Sequence, residues 1–395
     1  MKSNTGLYVH IPYCVKKCSY CDFVSFPVDK ITKDSQQEYL KHLLRDLEYK
    51  KLNYFQYNIN LKSIFFGGGT PSLFSPDFYY VFLQEVKAIF NLKTLSDIEI
   101  SMEANPESLY EQAKKLNFSL KEYKQAGINR LSIGVQSLNE KLLKYLGRLY
   151  IHKNSLEKVF DNTAAAGFTN INVDLIYGIA GQTFQDIEQS LSYVLGKNIT
   201  HLSFYELTVE KKTPLYKETI NRKKPQASNK RALLHHNYFL PILEKAKFER
   251  YEVSNYCLSG FECRHNMIYW SYNSYIGIGL SAHSFNGKIR IKNADNIKKY
   301  EKELTEEISE AQYNPELFIG FFRLLRPVFF KEITEFLTIK EKSIFLKVLK
   351  TFQERLWLNL SDNNFSITKE GILFSDSMVF EMSEALSAST NKTRS

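Results

Sequence analysis

Short strand-favouring apolar runs recur along the first half of the chain, and most of them are followed by a stretch with helical periodicity. Such runs are typical of buried strands, whereas apolar residues three and four positions apart are typical of amphipathic helices. A regular alternation of strand and helix predicts a parallel sheet. The six predicted strands are Gly6–Ile11, Ser63–Phe66, Asp97–Met102, Asn129–Val135, Asn170–Tyr177 and His201–Leu207.

Two of the intervening stretches illustrate the helical pattern. The first carries its apolar residues on one face: Tyr39, Leu40, Leu43, Leu44 and Leu47. A later helix begins with Leu156, Val159 and Phe160 and ends at Gly167, a suitable C-cap. Six strand-helix units predict an α/β fold built as a partial (β/α)6 barrel, since a complete TIM barrel has eight units.

The composition and the pattern of predicted elements change after this region. Asn221–Lys230 is polar and contains a proline, which predicts a loop or hinge. The next segment combines a helix over Leu233–Ala246 with aromatic and glycine-rich stretches. Residues 315–375 have the pattern of helices followed by a β-like segment, Trp357–Thr368, which predicts a smaller helical or winged-helix-like C-terminal domain.

These changes suggest a division of the chain into four parts. We expect a barrel core over residues 1–230 and a connecting region over 231–310. A C-terminal domain is expected over 311–385. Residues 386–395 are small and polar and are expected to form a flexible tail.

Length and composition restrict the class of protein. The 395 residues exceed the roughly 250 to 300 at which one hydrophobic core stops growing, so a second, smaller domain is expected. Apolar residues make up 44% of the chain, which excludes wholesale disorder. No apolar run approaches the ~20 residues of a membrane helix, and Met1–Tyr8 lacks the pattern of a signal peptide. We therefore expect a cytoplasmic protein, with only peripheral membrane contact left open.

The charge balance is moderately basic. The chain has 52 Lys and Arg against 43 Asp and Glu, a formal net charge of +9. Because the basic residues are scattered and form no long block, a nucleic-acid partner is not expected.

Three of the five cysteines form a compact motif. Cys14, Cys18 and Cys21 have the spacing C-x3-C-x2-C and follow the first predicted strand, at the end of a barrel where active sites lie. This clustering favours metal ligation over disulfides. Three thiolates hold three irons of a four-iron cluster and leave the fourth open. The alternatives are inert thiols or a zinc site, for which His10 is the nearest fourth ligand.

The cysteine motif, followed by an aromatic residue, resembles that of the radical S-adenosylmethionine (SAM) superfamily. Further segments resemble the successive motifs of its coproporphyrinogen-oxidase-like branch and together span about the first 210 residues. They are GGGTP at Gly67–Pro71, EANP at Glu103–Pro106, RLSIGVQS at Arg130–Ser137, LGR ending at Arg148, and NVDLIYGIAGQT at Asn172–Thr183.

The resemblance implies a radical SAM barrel whose three motif cysteines hold a 4Fe-4S cluster, with SAM bound exchangeably at the open iron. An electron from the reduced cluster would cleave SAM to methionine and a 5′-deoxyadenosyl radical. In this scheme glycines let the backbone approach SAM, and Arg148 pairs with the SAM carboxylate. The implied SAM residues are Gly68, Gly69, Thr70, Glu103, Gln136, Arg148 and Asp174, with Tyr8 beside the cluster and Tyr20 near the adenine.

Other features distinguish two groups within this branch. Oxygen-independent coproporphyrinogen III oxidase carries a fourth cysteine two positions after the third, where this chain has Phe23. The CSYCDF sequence, the short N-terminus and HNMIYW at His265–Trp270 resemble instead the HemW family of haem chaperones. That resemblance covers nearly the whole chain, including YEVSNYC at Tyr251–Cys257 and GIGLSAHSF at Gly277–Phe285.

The HNMIYW segment supplies the haem candidates. An imidazole suits axial iron ligation and large aromatic rings stack on a macrocycle, which points to His265, Tyr269 and Trp270. The alternative is a hydrogen-bonded structural histidine among core aromatics. Further candidate ligands are Cys257, Cys263 and His283, and the candidate cations for haem propionates are Arg264 and Arg290.

Four functional hypotheses follow. The first is a haem chaperone that binds haem, the 4Fe-4S cluster and SAM and transfers haem to acceptors such as respiratory haem proteins. The second is oxygen-independent coproporphyrinogen III oxidase, which forms protoporphyrinogen IX by radical decarboxylation. Phe23 argues against this second hypothesis. The missing cysteine is not a cluster ligand, however, so its absence does not exclude enzymatic activity.

The third hypothesis is a different radical reaction on a porphyrin, such as methyl transfer with ring opening. The fourth is nucleic-acid modification, which the motifs do not support. The sequence leaves open whether SAM cleavage is productive, whether haem is covalently attached, the acceptor and the oligomeric state.

Overall fold

The structure is a computed structural model that describes residues 3–55, 59–112, 119–303, 306–310 and 313–391. Its strands are β1 (Ser3–Ile11), β2 (Tyr13–Cys14), β3 (Phe26–Pro27), β4 (Ile59–Gly68), β5 (Glu99–Ala104), β6 (Arg130–Gln136), β7 (Asn170–Tyr177), β8 (His201–Glu206), β9 (Glu249–Arg250), β10 (Asn255–Cys257), β11 (Tyr275–Ile278), β12 (His283–Phe285), β13 (Ile289–Asn293), β14 (Glu306–Glu310), β15 (Val328–Phe329), β16 (Leu358–Leu360) and β17 (Asn364–Ile367).

The α-helices alternate with the strands in the first half of the chain and dominate its end. They are α1 (Lys33–Tyr54), α2 (Pro76–Ile89), α3 (Leu120–Gln125), α4 (Glu140–Tyr145), α5 (Lys153–Ala165), α6 (Phe184–Leu195), α7 (Pro214–Ile220), α8 (Asn229–Lys245), α9 (Arg264–Trp270), α10 (Ile297–Glu303), α11 (Tyr313–Phe321), α12 (Phe330–Thr334), α13 (Ile339–Glu354) and α14 (Ser375–Asn391). Short 3-10 turns lie at Pro71–Leu73 and Gly371–Phe374, and a π-helical turn lies at Ser108–Gln112.

Twelve strands of the described ranges form one sheet in the order β14-β13-β12-β11-β1-β4-β5-β6-β7-β8-β10-β9. The seven strands from β11 to β8 are parallel, and antiparallel strands extend both sides. Six of the seven are the predicted strands, so the α/β class and its six strand-helix units are confirmed. The seventh, β11, pairs Gly277 with Tyr8 of β1. It was missed because it is only four residues long.

Side chains alternate between two faces along the parallel strands. On β6, Leu131, Ile133 and Val135 belong to the core that the helices cover, whereas Arg130 and Ser132 occupy the alternate positions. The same alternation in β5 and β7 leaves a second, largely polar face. The sheet therefore presents an apolar face to its helices and a polar face to its interior, where the predicted SAM residues lie.

Helix α1 ties the later strands to the first half of the chain. Its Lys50 and Asp46 form a buried ion pair, with Nζ and Oδ1 3.3 Å apart. Lys50 also donates to the Gly277 carbonyl at 2.5 Å and to Asn293 Oδ1 at 2.6 Å. Because Gly277 lies on β11 and Asn293 on β13, this buried pair fixes both strands against the helix.

Helix α9 closes the end of the sheet opposite the cysteine loop. We call this region, formed by Ser63, Glu99, Arg130, Cys263 and His265, the barrel floor. Glu99 accepts hydrogen bonds from the backbone N–H groups of Arg264 at 3.0 Å and His265 at 3.2 Å, and from the Cys263 thiol at 3.6 Å. One buried carboxylate at the start of β5 thus anchors the N-terminus of α9.

The C-terminal region has its own hydrophobic core. Residues of α11, α13 and α14 surround Phe345 and Phe365, and the antiparallel sheet β15-β17-β16 lies beside them. The predicted β-like segment Trp357–Thr368 contains the paired strands β16 and β17. The predicted helical C-terminal region is therefore confirmed, with a small sheet as in a winged helix.

The prediction of a flexible tail over residues 386–395 is wrong for its first part. Helix α14 continues through Asn391, and residues 392–395 lie outside the described residues. Met378, Met382 and Leu386 recur every four positions and are all fully buried in the C-terminal core. Leu386 therefore continues an apolar stripe that begins before the predicted tail.

The proposed boundaries at residues 230, 310 and 385 stay predictions. The segment 249–293 contributes five strands to the large sheet. Within the described ranges, no helix combines the length and apolar character needed to cross a membrane.

Candidate functional site

The three motif cysteines lie on one loop at the C-terminal end of β1. Two backbone hydrogen bonds close the loop, from Phe26 N to Pro12 O at 2.7 Å and from Val28 N to Cys14 O at 2.8 Å. The thiols of Cys14, Cys18 and Cys21 are free and half-buried. The loop therefore presents three thiols at the mouth of the sheet's polar interior.

The thiols influence one another electrostatically. Burial, together with the neighbouring Cys18 and Cys14, raises the pKa of Cys21 to about 11. Burial also raises the pKa of Cys18, against the attraction of the Arg148 guanidinium. All three groups are near enough to interact as thiolates, so a bound cation or cluster would relieve their repulsion and displace their protons.

A chain of polar contacts joins the cysteine loop to neighbouring strands. Thr70 Oγ1 donates to Cys14 Sγ at 3.5 Å and accepts from Asn105 Nδ2 at 3.0 Å. Arg148 Nη2 donates to Asn105 Oδ1 at 3.0 Å, and Arg148 Nη1 lies 4.0 Å from Cys18 Sγ. Thr70 and Arg148 were predicted from motifs, whereas Asn105 was not singled out even though EANP contains it.

Two carboxylates lie on the polar face of the sheet. Glu103 Oε2 accepts a hydrogen bond from Gly68 N at 3.2 Å. Asp174 accepts from Asn172 Nδ2 at 2.8 Å and from Ser132 Oγ at 3.2 Å. Burial raises the pKa of Glu103 to about 8, repulsion from Asp174 adds to the shift, and the Gly68 N–H opposes it. Burial also raises the pKa of Asp174.

The glycine run at the end of β4 is required by the fold itself. A Cβ on Gly68, whose φ is +105°, would lie 2.4 Å from the His10 ring. A Cβ on Gly69 would lie 2.6 Å from the Tyr13 carbonyl oxygen. Glycine is therefore required at both positions because β4 lies so close to the cysteine loop. Their predicted contact with SAM stays a prediction.

The remaining predicted SAM residues surround the same polar face. Gln136 ends β6 with a φ of +65°, next to a register shift against β7. Tyr8 is half-buried, and desolvation raises its pKa with further contributions from Glu103 and Cys21. Tyr20 packs against an apolar cluster that includes Leu146. The sheet therefore brings together these residues and the carboxylates on the side that faces the cysteine loop.

The zinc alternative loses its proposed fourth ligand. His10 Nε2 donates to the Val24 carbonyl at 2.8 Å, and His10 Nδ1 then accepts from the Tyr8 hydroxyl at 3.0 Å. Both ring nitrogens are therefore occupied, and burial lowers the pKa of His10 to about 4.

The haem candidate His265 lies in the barrel floor, away from the cysteine loop. It is buried, with Nδ1 2.8 Å from Ser63 Oγ and Nε2 2.6 Å from the Tyr269 hydroxyl. Burial lowers its pKa to about 3, so the ring is neutral. These contacts match the structural alternative stated above. Haem ligation by His265 stays a prediction, and it requires that one of these two hydrogen bonds be broken.

The two aromatic candidates of the same helix also have structural partners. The Tyr269 ring packs edge-on against Tyr275 with centroids 4.5 Å apart. Trp270 lies at the junction with the C-terminal region, where the Arg323 guanidinium is 5.0 Å from its ring centroid. Both residues are half-buried, and each ring contacts another element of the fold.

The other haem candidates differ in exposure. Cys257 and Cys263 are buried, whereas His283 is exposed. Arg290 forms an ion pair with Glu316 at 2.8 Å, and its Nη1 donates to the Tyr275 hydroxyl. Arg264 donates to the Asp97 carbonyl. Of these five candidates, His283 and Arg264 are exposed, Arg290 is half-buried, and the two cysteines are buried.

The chain is similar to one protein superfamily and to relatives in bacteria. The model of the radical SAM superfamily matches residues 8–194. The heme chaperone HemW of Buchnera aphidicola subsp. Acyrthosiphon pisum (strain APS) is 36% identical over 95% of this chain and 97% of its own length. The heme chaperone HemW of Bacillus subtilis (strain 168) is 31% identical over 93% of this chain and 96% of its own length.

A solved structure supports the same fold. Coproporphyrinogen III oxidase (HemN) from Escherichia coli, a radical SAM enzyme, superposes with a TM-score of 0.77 and covers 97% of this chain and 90% of its own. The sequence identity is 19%, so this similarity concerns the fold alone. The predicted radical SAM fold is confirmed.

Proposed function

The chain belongs to the HemW family within the radical SAM superfamily, and from this premise we propose that it is a haem chaperone. In this role it binds haem and transfers it to acceptor haem proteins. The observation that carries the proposal is the similarity to HemW relatives along nearly the full length of both chains. Membership of the superfamily implies a 4Fe-4S cluster and SAM.

The cysteine loop fits the cluster. Cys14, Cys18 and Cys21 supply three half-buried thiols on one loop, at the open end of the sheet's polar face. Thiolates are the usual ligands of such clusters, and three of them leave one iron for SAM. When bound, the cluster and SAM supply one-electron chemistry at this position. The chain's own contribution is to hold the thiols beside Arg148 and Thr70.

The polar contacts around the loop fit SAM. Arg148 is positioned to pair with the SAM carboxylate, because Asn105 and the Gly134 carbonyl orient its guanidinium. Glu103 and Asp174 supply carboxylates for hydroxyl or amino groups of the ligand. Tyr8, Tyr20, Gln136 and the glycines are proposed to complete the site as the superfamily resemblance implies.

The raised pKa of Glu103 predicts pH-dependent SAM binding. With a pKa of about 8, Glu103 is largely protonated at pH 7 in the unliganded protein. If the ionised form accepts hydrogen bonds from SAM, affinity falls as the pH drops through 8, by up to about tenfold per pH unit. Calorimetric titration with SAM from pH 6.5 to 9 measures this profile. Glu103→Gln should flatten it, whereas the exposed control Glu140→Gln should not; identical profiles for Glu103→Gln and the unaltered chain would refute the assignment.

The proposed function also includes the proteins that receive haem and the place where the chain acts. We expect the acceptors to include respiratory haem proteins and the chain to act in the cytoplasm, with peripheral contact to a membrane where an acceptor resides there. Whether SAM cleavage accompanies haem transfer is a separate property of the same site.

The oxidase is the second candidate, and the shared fold is compatible with it. Phe23 opposes it, because its apolar side chain occupies the position of the oxidase's fourth cysteine and is 64% exposed. We expect no protoporphyrinogen IX when the anaerobically reconstituted chain receives SAM, reductant and coproporphyrinogen III. Chromatography of the porphyrins measures the outcome. Accumulation over many turnovers would establish the oxidase and remove the chaperone proposal.

A further inference from the structure

We propose that SAM and haem bind cooperatively, and that a chain of hydrogen bonds between Asp174 and the N-cap of α9 couples the two sites. The chain runs through Tyr251, His201 and Asn172, and we call these three residues the relay. The inference rests on the proposed function and adds a regulation to it. SAM at the open end of the sheet strengthens the binding of haem at α9.

The relay crosses the polar interior of the sheet, from the barrel floor to the predicted SAM site. The backbone N–H of Cys263, the N-cap residue of α9, donates to the Tyr251 hydroxyl at 3.3 Å. That hydroxyl lies 2.8 Å from His201 Nε2, and His201 Nδ1 lies 2.6 Å from Asn172 Oδ1. Asn172 Nδ2 then donates to Asp174 Oδ1 at 2.8 Å. Consecutive hydrogen bonds therefore join the helix of the HNMIYW segment to a carboxylate assigned to SAM.

The donors of the relay all face toward Asp174. Asn172 presents its amide nitrogen to the carboxylate, which would repel the amide oxygen, so that oxygen accepts from His201 Nδ1. Burial and the nearby Arg130 lower the pKa of His201, so the ring is neutral and Nε2 accepts from Tyr251. Hydrogen bonds in a row polarise one another in a protein interior. Because His201 and Asn172 are fully buried, a change of charge at the carboxylate reaches the N-cap of α9.

Helix α9 has two states that this coupling can favour. In the unliganded protein His265 is held by Ser63 and Tyr269, and iron ligation requires that one of these bonds be broken. Two acceptors hold the start of the helix: Glu99 accepts from the His265 N–H at 3.2 Å, and the relay accepts from the Cys263 N–H. A weaker bond to the relay loosens the helix and makes the ligating state more accessible.

The sign of the coupling follows from the charge of Asp174. Hydrogen bonds from Asn172 and Ser132 and the attraction of Arg130 favour its ionised form, against the effect of burial. This carboxylate draws the relay donors toward itself. SAM hydroxyl or amino groups that donate to it, as proposed above, share its charge and weaken that pull, so SAM favours the state that binds haem. Because coupling between two ligands is reciprocal, haem strengthens SAM binding by the same factor.

Haem titration of the full-length chain with and without SAM tests the inference. The chain is reconstituted anaerobically and kept without reductant, so that the cluster stays oxidised and SAM is not cleaved. Haem binding is followed by the Soret band, as the difference from the cluster-loaded chain. Saturating SAM is expected to raise the haem affinity by about fivefold or more. Equal affinity with and without SAM overturns the inference, and the proposed function stands.

Tyr251→Phe tests whether the relay is the path of the coupling. It removes the hydroxyl that links Cys263 to His201, and it alters neither Asp174 nor His265. This variant should bind both ligands, but SAM should change its haem affinity by less than about twofold. His201→Leu removes both ring nitrogens, breaks the relay at the next position and should have the same effect.

Tyr256→Phe is the matched control. Tyr256 is buried on β10, and its hydroxyl has no hydrogen-bond partner among the described residues. The control should keep the full effect of SAM on haem affinity. An undiminished effect in either relay variant, or a loss in Tyr256→Phe as large as in Tyr251→Phe, overturns the inference. Absence of haem binding by the unaltered chain would instead remove the proposed function.

Discussion

Replacing Cys18 with serine is expected to abolish the four-iron cluster. A serine hydroxyl is a poor ligand for soft iron because it does not ionise near neutral pH, and two remaining thiols cannot hold three irons. Cys18 is the most informative of the three positions because its sulfur also contacts Arg148. Iron and acid-labile sulfide are measured after anaerobic reconstitution of the full-length chain. Both are expected to fall to background, and Cys14→Ser and Cys21→Ser should behave alike.

Cys257→Ser is the matched control for this experiment. Cys257 is buried on β10, where it pairs with His201 of β8, and it lies outside the cysteine loop. This variant should retain the full iron and sulfide content. Full content in Cys18→Ser would contradict the assignment of the loop as the cluster site, whatever the function of the protein.

Glu99→Ala is expected to destabilise the chain by about 3–5 kcal/mol, because it removes a buried carboxylate that accepts three hydrogen bonds and attracts the buried Arg130. Arg130 is fully buried, and the attraction of Glu99 is among the interactions that raise its pKa. The substitution also removes the acceptor for the N–H groups of Arg264 and His265, so α9 loses its anchor. Denaturant unfolding of the full-length chain, followed by circular dichroism, gives the free energy of unfolding.

The exposed Glu262→Ala provides the comparison on the same segment. A surface substitution of this kind is expected to change the free energy of unfolding by no more than about 0.5 kcal/mol. Equal stability of the Glu99→Ala and Glu262→Ala variants would show that the barrel floor does not depend on Glu99. A large loss for Glu99→Ala alone would confirm that the HNMIYW helix is held in place by the floor.

Features that depend on neighbouring residues were predictable from the sequence. The parallel strands β1 and β4 to β8 followed from local apolar runs, and the cysteine motif from its spacing. Thr70, Glu103 and Arg148 belong to short motifs at strand ends. Since the C-terminal ends of parallel strands meet at one edge of a sheet, these motifs were expected to converge, and Thr70 and Arg148 do contact cysteines of the loop.

Features that depend on contacts distant in sequence were not predictable. The pairing of β11 with β1 joins residues about 270 positions apart, and a four-residue strand carries little signal of its own. The environment of His265 is set by Ser63, some 200 positions earlier. The aromatic residues near it in the sequence predict a macrocycle site, which stays a prediction, whereas its place in the barrel floor is visible only in the tertiary fold.

Haem transfer is measured from the full-length chain loaded with haem. The loaded protein is mixed with a haem-free respiratory haem protein, the two are separated, and the haem in each is measured from its Soret band over time. We expect haem to move to the acceptor in amounts set by the loaded chain, and faster than from free haem at the same concentration. Haem that stays on the chain, or an acceptor that fills no faster than from free haem, would show that the protein is not a haem chaperone.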